Sequence, residues 1–324
     1  MLCALIALLD NHDLGVLAAA GTAFCWAMTA LFFGAAARRI GQFHVNAIRL
    51  VIACALLGLA CAVTGVFAAA PTAQFVLLAL SGLVGLTLGD AAMFSALQIL
   101  GPRRASLIMA LAPGMTALLM VPLLGETLGW AGVAGMTITL AGVMWVVLER
   151  GQPGEIQGSV LLGVVMGMLG ALGQAGGLIL SKAGLGNAAQ GSLLNQWSGL
   201  DGGVVELHPL FGTLVRMLAG TVILLAYGLA ARKLGETLGK LRDRRALAQT
   251  TAGATFGPFI GVTLSLAAVQ LTNTAVASTI MATSPVLVIP IVAIVYKQKI
   301  TWRAVAGAIV AVAGVAVLTF RDKF

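Results

Sequence analysis

Residues 105–115 read ASLIMALAPGM and residues 277–287 read ASTIMATSPVL, with a proline in the same place in each. The two phrases stand 172 residues apart, and that offset holds without gaps well beyond them. It sets Gly85 on Gly257, Gly89 on Gly261 and Gln98 on Gln270. It also sets Pro113 on Pro285, Trp130 on Trp302, Gly135 on Gly307 and Gly142 on Gly314. Further back, after a five-residue change of offset, Arg49 falls on Arg216. A chain written twice at this period is a duplicated unit; a solenoid or propeller would repeat more often and at a shorter interval.

Composition says where the two copies sit. Apolar residues make up 60% of the chain and charged residues 9%, with a mean hydropathy of +1.02. A soluble domain is about half apolar and a quarter charged, so this chain is built for lipid. The net charge of +8 does not point to nucleic acid, because the basic residues lie between apolar runs and form no patch. Basic loops that orient a membrane protein account for them. The cysteines (Cys3, Cys25, Cys54, Cys61) have no CxxC spacing and read as small buried hydrophobes, not as a metal site or a disulfide pair. The opening MLCALIALL has no basic start and is cut short by DNHD, so it reads neither as a signal peptide nor as a span.

A membrane-crossing helix needs about twenty mostly apolar residues. Ten such runs are present: 14–34, 44–64, 73–99, 104–124, 128–148, 158–181, 209–231, 247–271, 274–296 and 302–320. The short breaks carry turn or charge signals, as in ARRIGQ (37–42), GPRR (101–104), ERGQPGE (149–155) and YKQK (296–299). Two gaps are longer. Residues 182–208 read as an irregular Gly- and Asn-rich loop, and 232–245 as a basic collar at the headgroups. Five spans per copy is an odd number, so the second copy must enter the membrane upside down. The expected fold is therefore an all-α membrane protein of ten transmembrane helices in two inverted five-helix repeats, residues 14–150 and 151–324. Such inverted repeats build secondary transporters, with the substrate site near the midplane between them. Matched rows of small residues, Ser81, Gly85 and Gly89 in one copy and Gly253, Gly257, Gly261 and Ser265 in the other, suit close helix packing in lipid. Lys and Arg number fourteen in the loops after the odd spans and three on the other side, which places both termini outside.

At this point the sequence resembles a known family, the EamA branch of the drug/metabolite transporter superfamily. The residues that carry the likeness are the tryptophan of GTAFCWAMTALFFG (21–34), Arg49 of VNAIRL, and the long phrase ASLIMALAPGMTALLMVPLLGETLGWAGVAGMTITLAGV (105–143). Its echo is ASTIMATSPVLVIPIVAIVYKQKITWRAVAGAIVAVAGV (277–315). The resemblance covers about 14–320 and implies export of amino acids or related metabolites across the plasma (inner) membrane. Two departures stand out: the first copy has Gly125-Glu126 where the second has Lys297-Gln298, and 182–208 is an insertion.

Few residues can carry chemistry in so apolar a chain. Asp90 is the sole acid inside a span. A carboxylate there is costly unless paired, wet or protonated, so it reads as functional, with a structural ion pair as the rival. Arg49 lies at a comparable depth from the same face and is its expected partner. Arg216 repeats Arg49, but Val262 stands where Asp90 should be matched. That leaves two readings: Arg216 meets an anionic group of the substrate, or it snorkels to the headgroups. Pro113 and Pro285 free carbonyls and bend their helices, which suits a cavity wall. Ser106, Ser278, Met109 and Met281 precede them and suit amphipathic solutes, though they are also common packing residues. Gln174 lies deep enough to face a cavity. Trp26, at mid-span, either lines the cavity or packs the core. Gln98, Gln270 and Glu126 sit at span ends and read as helix-end or gate residues. His12, His44 and His208 read as solvated or capping groups.

The expected function is thus a carrier of a small-molecule substrate, in contact with membrane lipid and not with nucleic acid. No cofactor, metal or catalytic residue is called for. No P-loop is present, so ATP is not hydrolysed by this chain. An enzyme acting on lipid would need a second buried acid or a histidine beside Asp90. A flippase for a lipid-linked substrate remains the alternative. No acid lies between Leu14 and Gly34, which disfavours the first-span glutamate mechanism of the related small multidrug exporters. The oligomeric state is open, and a monomer satisfies the sequence.

Overall fold

In lipid every backbone N–H and C=O must be satisfied within the protein, and a chain without strand pairing does this with helices. The computed structural model describes residues 10–149, 158–199, 204–287, 291 and 301–320, and among these no strand occurs. The first copy comprises α1 (Asn11–Ile40), α2 (Gln42–Thr64), α3 (Thr72–Ser81), a π-helical segment π1 (Gly82–Gly89), α4 (Asp90–Met109), α5 (Ala112–Leu124) and α6 (Trp130–Glu149). The second comprises α7 (Val160–Gly184), α8 (Leu193–Ser198), α9 (Pro209–Ala230), α10 (Leu234–Lys240), α11 (Arg244–Ala254), π2 (Thr255–Gly261), α12 (Val262–Leu271), α13 (Thr274–Met281) and α14 (Trp302–Thr319). Nine helical stretches among the described residues are long and apolar enough to cross a membrane, and Thr274–Leu287 is a shorter apolar helix. The rest of the expected ninth span lies largely outside the described residues, as do MLCALIALL, the stretch 150–155 and YKQK.

Small residues set how the spans meet. Ser81, Gly85 and Gly89 face Ser181, Gly177 and Gly173 of α7 in descending order, so the two helices run antiparallel. The Ser81 hydroxyl donates to the Gly177 carbonyl at 2.7 Å. A Cβ on Gly173 would lie 2.7 Å from the Gly89 Cα, and one on Gly177 would lie 3.0 Å from the Gly85 Cα. The second copy repeats the ladder against α1: Gly253 meets Phe33, Gly257 meets Thr29, and Gly261 meets Cys25 and Trp26. The pair α6 and α14 shows the same logic, with Gly135 against Gly314 and Gly142 against Gly307. The equivalent helices α6 and α14 are therefore packed antiparallel. Trp130 and Trp302 open these two helices and are exposed, as interface tryptophans are.

Several boundaries differ from the sequence reading. The first span runs on to Ile40, so of ARRIGQ only Gly41 lies outside a helix. The backbone stays helical across GPRR, although the apolar windows either side, Thr72–Leu100 and Leu107–Leu124, remain separate. The loop at 182–208 is partly helical: α7 runs to Gly184, and α8 carries its own N-cap from Ser192. The basic collar holds α10, and the eighth span starts at Arg244, capped by Asp243. Charge and glycine weaken a helix but do not forbid it where caps and packing supply the missing bonds.

Candidate functional site

The described helices enclose a cavity of about 440 Å³, a size suited to a small organic solute. Its wall draws on α1, α2, α4, α7 and α9, on both π segments, and on the breaks before Pro113 and Pro285. At each break the helix stops, two residues turn, and a new helix begins with proline as its second residue. This corrects the expectation of a bend within one continuous helix. Proline fits the first turn of a helix, where its missing N–H is not needed. It also denies the carbonyl four residues back its usual donor, here Met109 and Met281. Two discontinuous helices thus meet the cavity at matched places.

Charged groups line the same cavity. Arg49 Nη2 donates to Asp90 Oδ2 at 2.7 Å, Nε donates to the Asn46 side chain at 2.6 Å, and the guanidinium lies 5.2 Å from the Phe33 ring centre. Asp90 occupies the first residue of α4, where the wide π1 turns give way to an α-helix. Its side chain keeps 29% exposure and lines the cavity. Arg216 also lines the cavity and is only 4% exposed. Its Nε and Nη1 are buried and without a hydrogen-bond partner. Burial at this depth removes the snorkelling reading.

Most residues singled out in the sequence meet here. Trp26, Met109, Pro113, Gln174, Ser278, Met281 and Pro285 all line the cavity beside Arg49, Asp90 and Arg216. Trp26 combines both of its readings, because it also packs against the cluster around Leu178 and Met281. The Ser278 hydroxyl lies 3.4 Å from that of Thr116. The side chain of Ser106 lies outside the described residues. Gln98 and Gln270 stay away from the cavity, the first near Gln42 at 3.4 Å and the second donating to Glu206 at 2.8 Å. Among the described residues, no group of three or more His, Cys, Asp or Glu is arranged to hold a metal ion.

Glu126 sits elsewhere, in a tight polar knot. Gly125 ends α5 in the left-handed region at φ 73, which turns Glu126 toward the start of α13. Its carboxylate accepts from the Thr274 backbone N–H at 2.8 Å and pairs with Lys182. Lys182 in turn donates to the Thr272 carbonyl at 2.8 Å. His12 reaches the same residue, 2.7 Å from the Thr272 hydroxyl. Sequence reasoning left Lys182 among the loop charges, yet it is 6% exposed. The available signal was its position at the end of the apolar run GLILSK. It also missed Met93, Thr29, Ser265 and Ser284 on the cavity wall, residue types too common in membrane helices to stand out.

The family model described as the EamA-like transporter family matches residues 13–148 and again 200–320. No curated protein matches the chain. A solved crystal structure is similar with a TM-score of 0.71, at 17% identity, covering 95% of this chain and 97% of that one. At that identity the likeness concerns the fold alone.

Proposed function

We propose, because this chain belongs to the EamA-like transporter family, that it is a secondary carrier working by alternating access. The family, within the drug/metabolite transporter superfamily, is one of membrane transporters and not of enzymes, and the chain is an integral multi-pass membrane protein. The finer reading is an exporter or facilitative exchanger of small metabolites such as amino acids, resident in the plasma (inner) membrane with both termini outside. Its working parts are two inverted repeats, residues 14–150 and 151–324, that rock about the cavity between them.

The observation that carries this reading is the pair of matched helix breaks at Pro113 and Pro285, both lining the cavity. Broken helices at the repeat interface expose backbone dipoles to a bound solute and let each half move as a unit. Purified protein in sealed vesicles is expected to accelerate counterflow of at least one metabolite from a broad screen, without ATP. No counterflow of any solute, or flux that requires ATP, would remove the proposal.

A further inference from the structure

The cavity wall carries two guanidinium groups, Arg49 and Arg216, and a single carboxylate, Asp90. That carboxylate accepts from Arg49 at 2.7 Å, and it attracts Arg216 only through space, with no hydrogen bond between them. Arg216 is left with donors on Nε and Nη1 that meet no acceptor, on a side chain only 4% exposed. A buried cation with unmade hydrogen bonds is strongly unfavourable until an anion arrives. Its placement is built: Gly82 packs directly on the Arg216 carbonyl, where an added Cβ would clash, and Nη2 lies at ordinary contact distance from Gly85. The neighbouring wall is apolar, with Leu86, Met217 and Val262 beside it.

We infer that Arg216 receives the anionic head of the substrate, and that the substrate is an organic carboxylate with an apolar body. This deepens the carrier reading and rests on it for transport, though binding can be tested apart from transport. Guanidinium-to-carboxylate hydrogen bonds are charge-assisted and stronger than neutral ones. Arg49 already spends Nε on Asn46 and Nη2 on Asp90. A cationic solute offers Arg216 no acceptor, and a neutral amide only an uncharged one, so both would bind more weakly than the carboxylate.

The test uses the full-length protein in detergent at neutral pH and three probes with one apolar body: 4-methylpentanoate, 4-methylpentanamide and isopentylamine. Thermal unfolding is expected to shift upward with the carboxylate, saturably, much less with the amide, and not with the amine. Arg216→Gln should weaken carboxylate binding about tenfold or more, while Gln98→Ala, outside the cavity, should bind as the parent does. If Arg216→Gln does not fold, Arg216→Lys serves: it keeps charge but not the planar fork, and should bind several-fold more weakly with the same preference. Stabilisation by the amide or amine equal to that by the carboxylate, no stabilisation by any probe, or full binding by the folded Arg216 variant would overturn the assignment. Vesicle counterflow then separates the two readings. Carboxylate binding without any flux keeps the anion site and removes the carrier, whereas flux of only the neutral or cationic probe keeps the carrier and removes the anion site.

Discussion

Arg49 and Asp90 illustrate how a single pair is stabilised in a membrane protein. The carboxylate would be costly alone in lipid, but it accepts from Arg49 and faces a cavity that can hold water, while Asn46 and Phe33 hold the guanidinium in place. Asp90→Asn or Arg49→Gln leaves one charge behind and should destabilise the protein by about 2–3 kcal/mol, less than a fully dry pair would. The double exchange Arg49→Asp with Asp90→Arg should recover folding and counterflow relative to either Arg49→Asp or Asp90→Arg alone. Unfolding curves and flux on the same samples check this, and no recovery would mean the two side chains are not acting as a pair. Asp243 makes the contrast at the surface. It accepts from the Ala246 N–H at 3.0 Å and pairs with Arg39 at 3.0 Å. The backbone donor of Ala246, and after it Arg39, hold its carboxyl below the usual carboxylate range. A lowered folded value means its contribution is complete above the ordinary carboxylate pKa, about 4, and fades as pH falls through the folded value. Melting curves should therefore separate Asp243→Ala from the parent at pH 7 and bring them together in acid.

Within elements, helices are interrupted where the protein needs a wall and unbroken where it needs a strut. The π segments π1 and π2 occupy matched positions in the two copies, each just before the residue at the Asp90 place. An inserted residue of this kind widens the turn and commonly marks a functional position. The periodicity of apolar residues carries no trace of it, because the local sequences GLVGLTLG and TFGPFIG are apolar all round. The close ladder between π1 and α7 makes a sharp prediction. Gly173→Val would drive side-chain atoms into the Gly89 backbone and should abolish folded protein, whereas Gly114→Ala, with nothing within 4 Å, should be tolerated. Yield and monodispersity after purification measure both. The prolines make another. Pro113→Ala and Pro285→Ala restore the missing N–H and should leave thermal stability unchanged or raised while slowing counterflow several-fold, because a continuous helix no longer yields at the break. Unaltered flux in both variants would show that the breaks are static.

For the molecule as a whole, α6 and α14, equivalent by the 172-residue offset, pack antiparallel, and π1 packs on α7 as π2 packs on α1. Inverted repeats across the bilayer are the proposed consequence. Reporter fusions after residue 68 and after residue 236, in equivalent loops of the two copies, should emerge on opposite faces, the second inside with the basic collar. Emergence on one face would end the inverted-repeat proposal. The two copies are not equal at their ends. Glu126 and Lys182 tie α5, α7 and the start of α13 together. The place in the second copy that would match Glu126 carries Gln298 and lies outside the described residues.

Much of this was legible without coordinates. Backbone buried in lipid must form helices or a closed barrel, and continuous apolar runs of about twenty residues suit only the helix, so hydropathy alone determined an all-helical membrane protein. The 172-residue echo determined that its parts are paired, and depth counting along two spans was enough to bring Arg49 to Asp90, because helix rise is constant. Packing in three dimensions added relations that no single helix contains. These are the burial of Arg216 with Nε and Nη1 unmet, the pairing of Lys182 with Glu126, and the gathering of ten side chains around one cavity. Hydropathy reports how each residue weighs lipid against water along one axis. Which faces meet is determined by close packing of small side chains between helices, and that information is shared among segments far apart in the chain.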